Sequence, residues 1–194
     1  MFKSYNFKAK ENDPQNYYYF DGGFNTDELS KIENGVKELQ FIDGIVGSGE
    51  NKYEVNKSIR KSKIKWIPQD DNWRWLYEKL SNMISEANDN LWKFSITQIP
   101  EQIQYTEYHS INEGNYDWHQ DIGSGGASRR KISVTVQLSD ADEYEGGNLE
   151  LWKGASSFVT ANRGKGNVFI FPSYMLHRVT PVTRGIRKSF VLWV

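Results

Sequence analysis

The chain of 194 residues has no cysteine and only three histidines. Without thiols there is no disulfide framework and no thiolate metal site, so any iron or zinc must be held by imidazole and carboxylate. An excess of charge of one sign is also lacking: 24 basic and 25 acidic residues leave a net charge of -1. The basic footprint of a phosphate-tracking protein is missing, which argues against a nucleic-acid partner. No run approaches the roughly 18 apolar residues of a membrane-spanning helix. The opening "MFKSYNFKAKENDPQNYYYF" has neither an apolar segment nor a cleavage-site pattern. These absences lead to the expectation of a cytoplasmic protein with no membrane partner.

Aromatic residues, by contrast, are plentiful, at 14% with seven tryptophans. Packing in a β-rich core accounts for most of them, and a stacking surface for a ligand is the alternative. The length fits one domain, residues 1–194, able to bury its own core without staples.

Two helices are expected early. "YYYFDGGFNTDELSKIENGVKELQ" reads as a short strand, a Gly-Gly turn and a helix capped by Asn25 or Thr26, with Asp27 and Glu28 in its first turn. Its apolar stripe is Phe24, Leu29, Ile32, Val36 and Leu39. In "DDNWRWLYEKLSNMISEANDNLW" the residues Trp73, Leu76, Leu80, Met83, Ile84, Ala87 and Leu91 recur at helical steps and mark a second helix. Between them lies a Gly-, Asn- and Lys-rich stretch. It contains a strand with apolar Ile64 and Trp66, ends at Pro68, and carries lysines read as a solvated face.

From about Ile96 the period changes to two, through "EQIQYTEYHS", "KISVTVQL", "NLELW", "NVFIF" and "RKSFVLWV". Helices first and short strands afterwards give an α+β, mainly β fold: a jelly roll over residues 96–194, backed by helices in residues 1–95.

The three histidines are His109, His119 and His177. A facial iron(II) site needs two imidazoles and one carboxylate on one side of the metal, with open positions opposite. In "YDWHQDIG", His119 and Asp121 are separated by one residue, so both can reach one ion from an extended strand. Alone this pattern is weak, and a polar bump on a loop is the ordinary alternative. His177, after the apolar strand "VFIFPSYML", is the candidate second imidazole, with a hydrogen-bonded strand histidine as its ordinary alternative.

The flanking blocks decide between these. "YHSINEGNYDWHQD", "SVTVQLSDADEYEGGNLEL" and "FPSYMLHRVTPVTRGIR" occur in this order, and the half of the chain from about Glu101 to Val194 resembles the iron(II)- and 2-oxoglutarate-dependent oxygenases of the prolyl/lysyl hydroxylase-like (PKHD-type) group. The resemblance implies a double-stranded β-helix and an enzyme that uses Fe(II), 2-oxoglutarate and O2. It matches His119, Asp121 and His177 to the metal ligands and Arg187 to the anchor of the distal carboxylate of 2-oxoglutarate.

Arg178 and Arg184 are rivals for the anchor. Two-residue alternation from Arg187 to Trp193 puts these two on one face, with Trp193 lining the pocket. Tyr108 matches a tyrosine that donates to the co-substrate, with Tyr105 or Tyr116 as alternatives, and Gln137 stands where many relatives place another tyrosine. Trp118, Arg129, Trp152 and Arg178 are candidates for contact with substrate, and core packing is an alternative for the two tryptophans. The loop of residues 122–131 reads either as a lid or as a surface loop. The substrate implied by the resemblance is a proline-containing peptide or protein, with lysine or a free amino acid as alternatives. A cupin-like metal-binding jelly roll without oxidative chemistry is the main rival of another class.

Overall fold

The computed structural model describes residues 16–44, 46–48, 52–54, 56–155 and 157–194. The first part of the chain forms β1 (Tyr18–Phe20), α1 (Thr26–Gly35), β2 (Ile42–Asp43), β3 (Val46–Ser48) and β4 (Lys52–Glu54). It continues through β5 (Arg60–Lys61), β6 (Lys63–Ile67) and α2 (Arg74–Asn90). The second part is mainly strand: β7 (Ile103–His109), β8 (Asn115–His119), β9 (Ile132–Gln137), β10 (Tyr144–Gly146) and β11 (Leu149–Gly154), then β12 (Ser157–Thr160), β13 (Val168–Pro172), β14 (His177–Val179) and β15 (Val182–Trp193).

Two antiparallel sheets face each other as a jelly roll. The major sheet runs β1-β13-β9-β15-β7-β6-β2, with β10 paired to β15, and the minor sheet runs β12-β11-β14-β8-β5. The first 95 residues, expected to be helical support, also provide β1, β2 and β6 of the major sheet and β5 of the minor one. The strand-rich part starts at Ile103 rather than Ile96.

Local chemistry explains both helices. Asn25 caps α1: its side chain accepts from the Glu28 amide at 3.0 Å while Glu28 accepts from the Asn25 amide at 2.9 Å, a reciprocal capping box. Phe24, Ile32 and Val36 of its stripe are buried. Leu76, Leu80, Ile84 and Ala87 of α2 join them against the outer face of the major sheet.

Strand alternation then separates two environments. Ile132, Val134 and Val136 of β9 and Phe190 and Leu192 of β15 belong to the helix-side core, as do Val168 and Ile170 of β13. Phe169 and Phe171 point the other way, into a second core between the sheets with Leu149, Leu151, Val179 and Tyr144. The inter-sheet positions of the major sheet are strongly polar: Gln104, Thr106, Ser133, Thr135, Gln137, Arg187 and Ser189 are all buried. A polar wall inside a closed sandwich needs partners, and it is here that the histidines converge.

One expectation about the lysines fails. Lys65 is buried, because its ammonium donates to the Val36 carbonyl at 2.7 Å and lies 4.1 Å from the Phe41 ring centre. Its four-carbon stem packs in the core while the charge ends on a helix-terminal carbonyl.

Candidate active site

The antiparallel pairing of β8 with β14 sets His119 directly opposite His177, with ring centres 4.1 Å apart. Asp121 lies two residues past His119, where the amides of Asp121 and Ile122 both donate to the Ser173 carbonyl, at 2.9 and 3.2 Å. One ligand atom from each of His119, Asp121 and His177 lies within 4.8 Å of the others. His119 Nε2 is 3.7 Å from Asp121 Oδ1, and His177 Nε2 is 3.4 Å from Oδ2.

Hydrogen bonding prepares these atoms for a cation. His119 Nδ1 donates to the Asp117 carbonyl at 2.7 Å and His177 Nδ1 to the Met175 carbonyl at 2.8 Å, which leaves both Nε2 lone pairs facing the carboxylate. Burial, reinforced by His177, pushes the His119 pKa down to about 3, so its ring is neutral at pH 7. For Asp121 burial acts to raise the pKa, but His177, His119 and the Ser133 hydrogen bond outweigh it and hold the carboxyl below its usual range. Two imidazoles that present Nε2 and one carboxylate are the donor set that a divalent transition metal takes on one face.

The triad opens on a cavity between the two sheets. Arg187, Ser189, Val191 and Trp193 of β15 all line it, as the alternation along "RKSFVLW" predicts. Arg187 is 3% exposed, pairs across the sheet with Tyr108, and carries its guanidinium 5.6 Å from that ring centre. Its rivals are engaged elsewhere: Arg184 on Glu145 at 2.8 Å and Arg178 on Glu150 at 2.7 Å. Tyr108 and Tyr116 both line the cavity. Tyr105 faces the helices and donates to Glu107 at 2.7 Å.

A family match accompanies this geometry: residues 103–194 match the family model described as the 2OG-Fe(II) oxygenase superfamily. This half of the chain belongs to the 2OG-Fe(II) oxygenase superfamily. Its members use Fe(II), 2-oxoglutarate and O2. The chain is 27% identical over 173 residues to a PKHD-type hydroxylase of Rippkaea orientalis, covering 86% of this chain and 72% of that one. It is 25% identical over 186 residues to the PKHD-type hydroxylase YbiX of Escherichia coli, covering 91% and 77%. Its fold is similar to that of a prolyl hydroxylase from Trichoplax adhaerens, solved with a peptide fragment of the hypoxia inducible factor oxygen degradation domain. That likeness has a TM-score of 0.74 at 20% identity, over 92% of this chain and 82% of that one. A Pseudomonas putida prolyl-4-hydroxylase gives a TM-score of 0.67 at 17% identity, over 92% and 91%.

Within this oxygenase fold several expected residues lie away from the triad. Gln137 lines a neighbouring cavity that shares Arg187 with the first, and its amide donates to the Tyr144 hydroxyl at 2.9 Å. Trp118, Trp152 and Arg178 sit on the outer face of the minor sheet. Glu150 pairs there with Arg178, whereas Leu151 and His177 turn inward. Arg178 lies 4.6 Å from the Trp118 ring centre, and Trp118 meets Trp152 edge-on at 5.6 Å. None of the three lines the cavity. Arg129 is exposed at the end of a 3-10 turn, Gly125–Arg129, that orders the loop after Asp121.

Its neighbour Arg130 is the inward residue that sequence reasoning missed. It grips Glu101 through two hydrogen bonds, donates to the Asp121 carbonyl at 3.1 Å, and lies 4.0 Å from the Trp193 ring centre. Arg60 was missed too: it lines the cavity 4.8 Å from the Tyr116 ring centre, and Tyr116 is stacked on His119. Adjacent arginines give no sequence signal of which one turns inward, and Arg60 is hidden in a lysine-rich run.

Proposed function

We propose that the oxygenase hydroxylates peptidyl proline, with its metal held by His119, Asp121 and His177 and its co-substrate by Arg187. The observation that carries this reading is the placement of three convergent ligand atoms and one buried guanidinium in a single cavity. Iron(II) bound at the triad supplies, with 2-oxoglutarate and O2, the chemistry that yields succinate, carbon dioxide and a hydroxylated carbon. The chain's own residues bind, orient and exclude water. Arg187 offers a planar fork to the distal carboxylate, and its burial strengthens that charge-assisted contact. Tyr108, beside the guanidinium, has a hydroxyl for the same carboxylate. Gln137 acts one step back, by fixing Tyr144 in the adjoining wall. Trp193 closes the cavity beneath Arg130. No acid or base from the protein is required.

The fold's likeness to prolyl hydroxylases supports a prolyl substrate. The test is the visible absorption of anaerobic protein as iron(II) and then 2-oxoglutarate are added, followed by mass spectrometry of prolyl and lysyl peptides after admitting O2. A charge-transfer band that needs both additions and is lost in His119→Ala and Arg187→Ala is expected, with one oxygen added to the prolyl peptide. A folded protein that binds iron without the band overturns the site assignment. Oxygen added to the lysyl peptide alone overturns the choice of proline.

A further inference from the structure

The run from Lys57 to Lys65 holds five cations and no carboxylate. Lys65 is explained by its buried carbonyl. The other four, Lys57, Arg60, Lys61 and Lys63, line one groove beside the ends of β2 and β5. Its acidic residues among those described are Asp43 and Glu107. Both are engaged, Asp43 with Lys63 and Glu107 with His109 at 2.8 Å and Tyr105 at 2.7 Å. Lys61 has Glu113 at 3.8 Å, but that carboxylate is 76% exposed, and such a pair contributes little. Among the described residues the lining holds four cations against two carboxylates, and of the four Arg60 is buried and donates to Ser62 at 2.7 Å and to Gln104 at 2.8 Å. A chain of net charge -1 does not produce this as a by-product of general basicity.

The groove adjoins the chemistry. Arg60 lines both the groove and the catalytic cavity, and stands over Tyr116, which stacks on His119. Lys57 precedes β5, Arg60 and Lys61 form it, and Lys63 opens β6, so the cations are strung along the chain. A series of separate charges suits successive carboxylates on a peptide better than one compact anion.

We propose that this groove receives an acidic stretch, rich in aspartate or glutamate, of the polypeptide whose residue enters the catalytic cavity. The inference rests on the reading of the substrate as a polypeptide. The test uses the protein loaded anaerobically with iron(II) and 2-oxoglutarate, and three fluorescein-labelled peptides that differ only in a block of glutamates, glutamines or lysines beside a central proline. Anisotropy titration is expected to show the glutamate peptide binding about tenfold tighter than the glutamine peptide at low salt, with the lysine peptide weakest. The margin narrows as salt rises, and the Lys57→Glu/Lys61→Glu double variant reverses the order. Equal affinities for the three peptides, or an order unchanged in the double variant, overturn the proposal. The charge-transfer band is read in the same samples. A band without charge preference sinks the groove and leaves the oxygenase site standing; charge preference without the band does the reverse.

Discussion

Ser133 donates to Asp121 Oδ2 at 2.7 Å and meets Ser173 Oγ at 2.9 Å, so a two-hydroxyl relay fixes the carboxylate rotamer from behind. Outer partners of this kind orient the ligands of a metal site and tune its affinity. Ser133→Ala is expected to weaken iron(II) binding about 10- to 100-fold while leaving the fold intact; titration under anaerobic conditions checks it. Arg187 is tested by Arg187→Lys, which keeps the charge and loses the fork. The apparent affinity for 2-oxoglutarate is expected to fall about tenfold in the lysine variant and about 100-fold in Arg187→Ala. The charge-transfer band reads both, and equal losses would argue that charge alone anchors the co-substrate.

At the scale of elements, β15 does the most: it pairs with β7 and β9, receives β10, and places Arg187, Ser189, Val191 and Trp193 along one cavity wall. Gly185, inside β15 and paired with Tyr144 of β10, takes a backbone conformation that other residues rarely adopt. Its φ is +72°, and a Cβ there would lie 2.0 Å from the Glu143 carbonyl oxygen. Gly185→Ala is expected to cost about 2 kcal/mol or more, seen as a lower urea midpoint, because both backbone strain and a steric clash act against it.

The capping box of α1 is sensitive to acid. Burial acts to raise the Glu28 pKa, but hydrogen bonds from Lys79 and the Asn25 amide and the Lys79 charge lower it overall. A carboxyl lowered on folding contributes stability that is present above its ordinary pKa of 4.5 and is lost as pH falls through the lowered value. Glu28→Gln is expected to cost about 0.5 kcal/mol at pH 7, since glutamine keeps the cap and loses the ion pair. The gap from the parent protein closes on acidification, and urea melts at two pH values measure it.

For the whole molecule, the triad exists only when β8 and β14 are paired, because its members come from residues 119–121 and 177. Metal that binds the folded chain alone must therefore stabilise it. At about 100 times the dissociation constant the gain is about 2.7 kcal/mol, a rise of about 5–10 °C in Tm for a chain of this size. Anaerobic calorimetry with and without iron(II) checks the rise, and Asp121→Asn is expected to abolish it. Among the described residues no helix is long and apolar enough to cross a membrane.

Periodicity was enough to place α1, α2 and the change to strands, because each depends on residue type at short spacing; the grouping of His119, Asp121 and His177 was legible only through the resemblance, since a histidine 56 residues beyond Asp121 has no local spacing to mark it. The Arg187 and Trp193 face was legible from periodicity: a strand repeats every two residues whatever it packs against. Which face turns inward depends on the partner sheet. The polar positions of "ISVTVQ" read equally well as solvent-facing, yet Ser133, Thr135 and Gln137 are buried between the sheets. Likewise the choice of Arg130 over Arg129, the engagement of Gln137 with Tyr144, and the outward turn of Trp118 and Trp152 follow from contacts between segments far apart in sequence. The sequence alone determined the chemistry available and the period of each element. Only the tertiary structure decided which donors share a cavity, because strand order and sheet closure are set by long-range packing that no local spacing encodes.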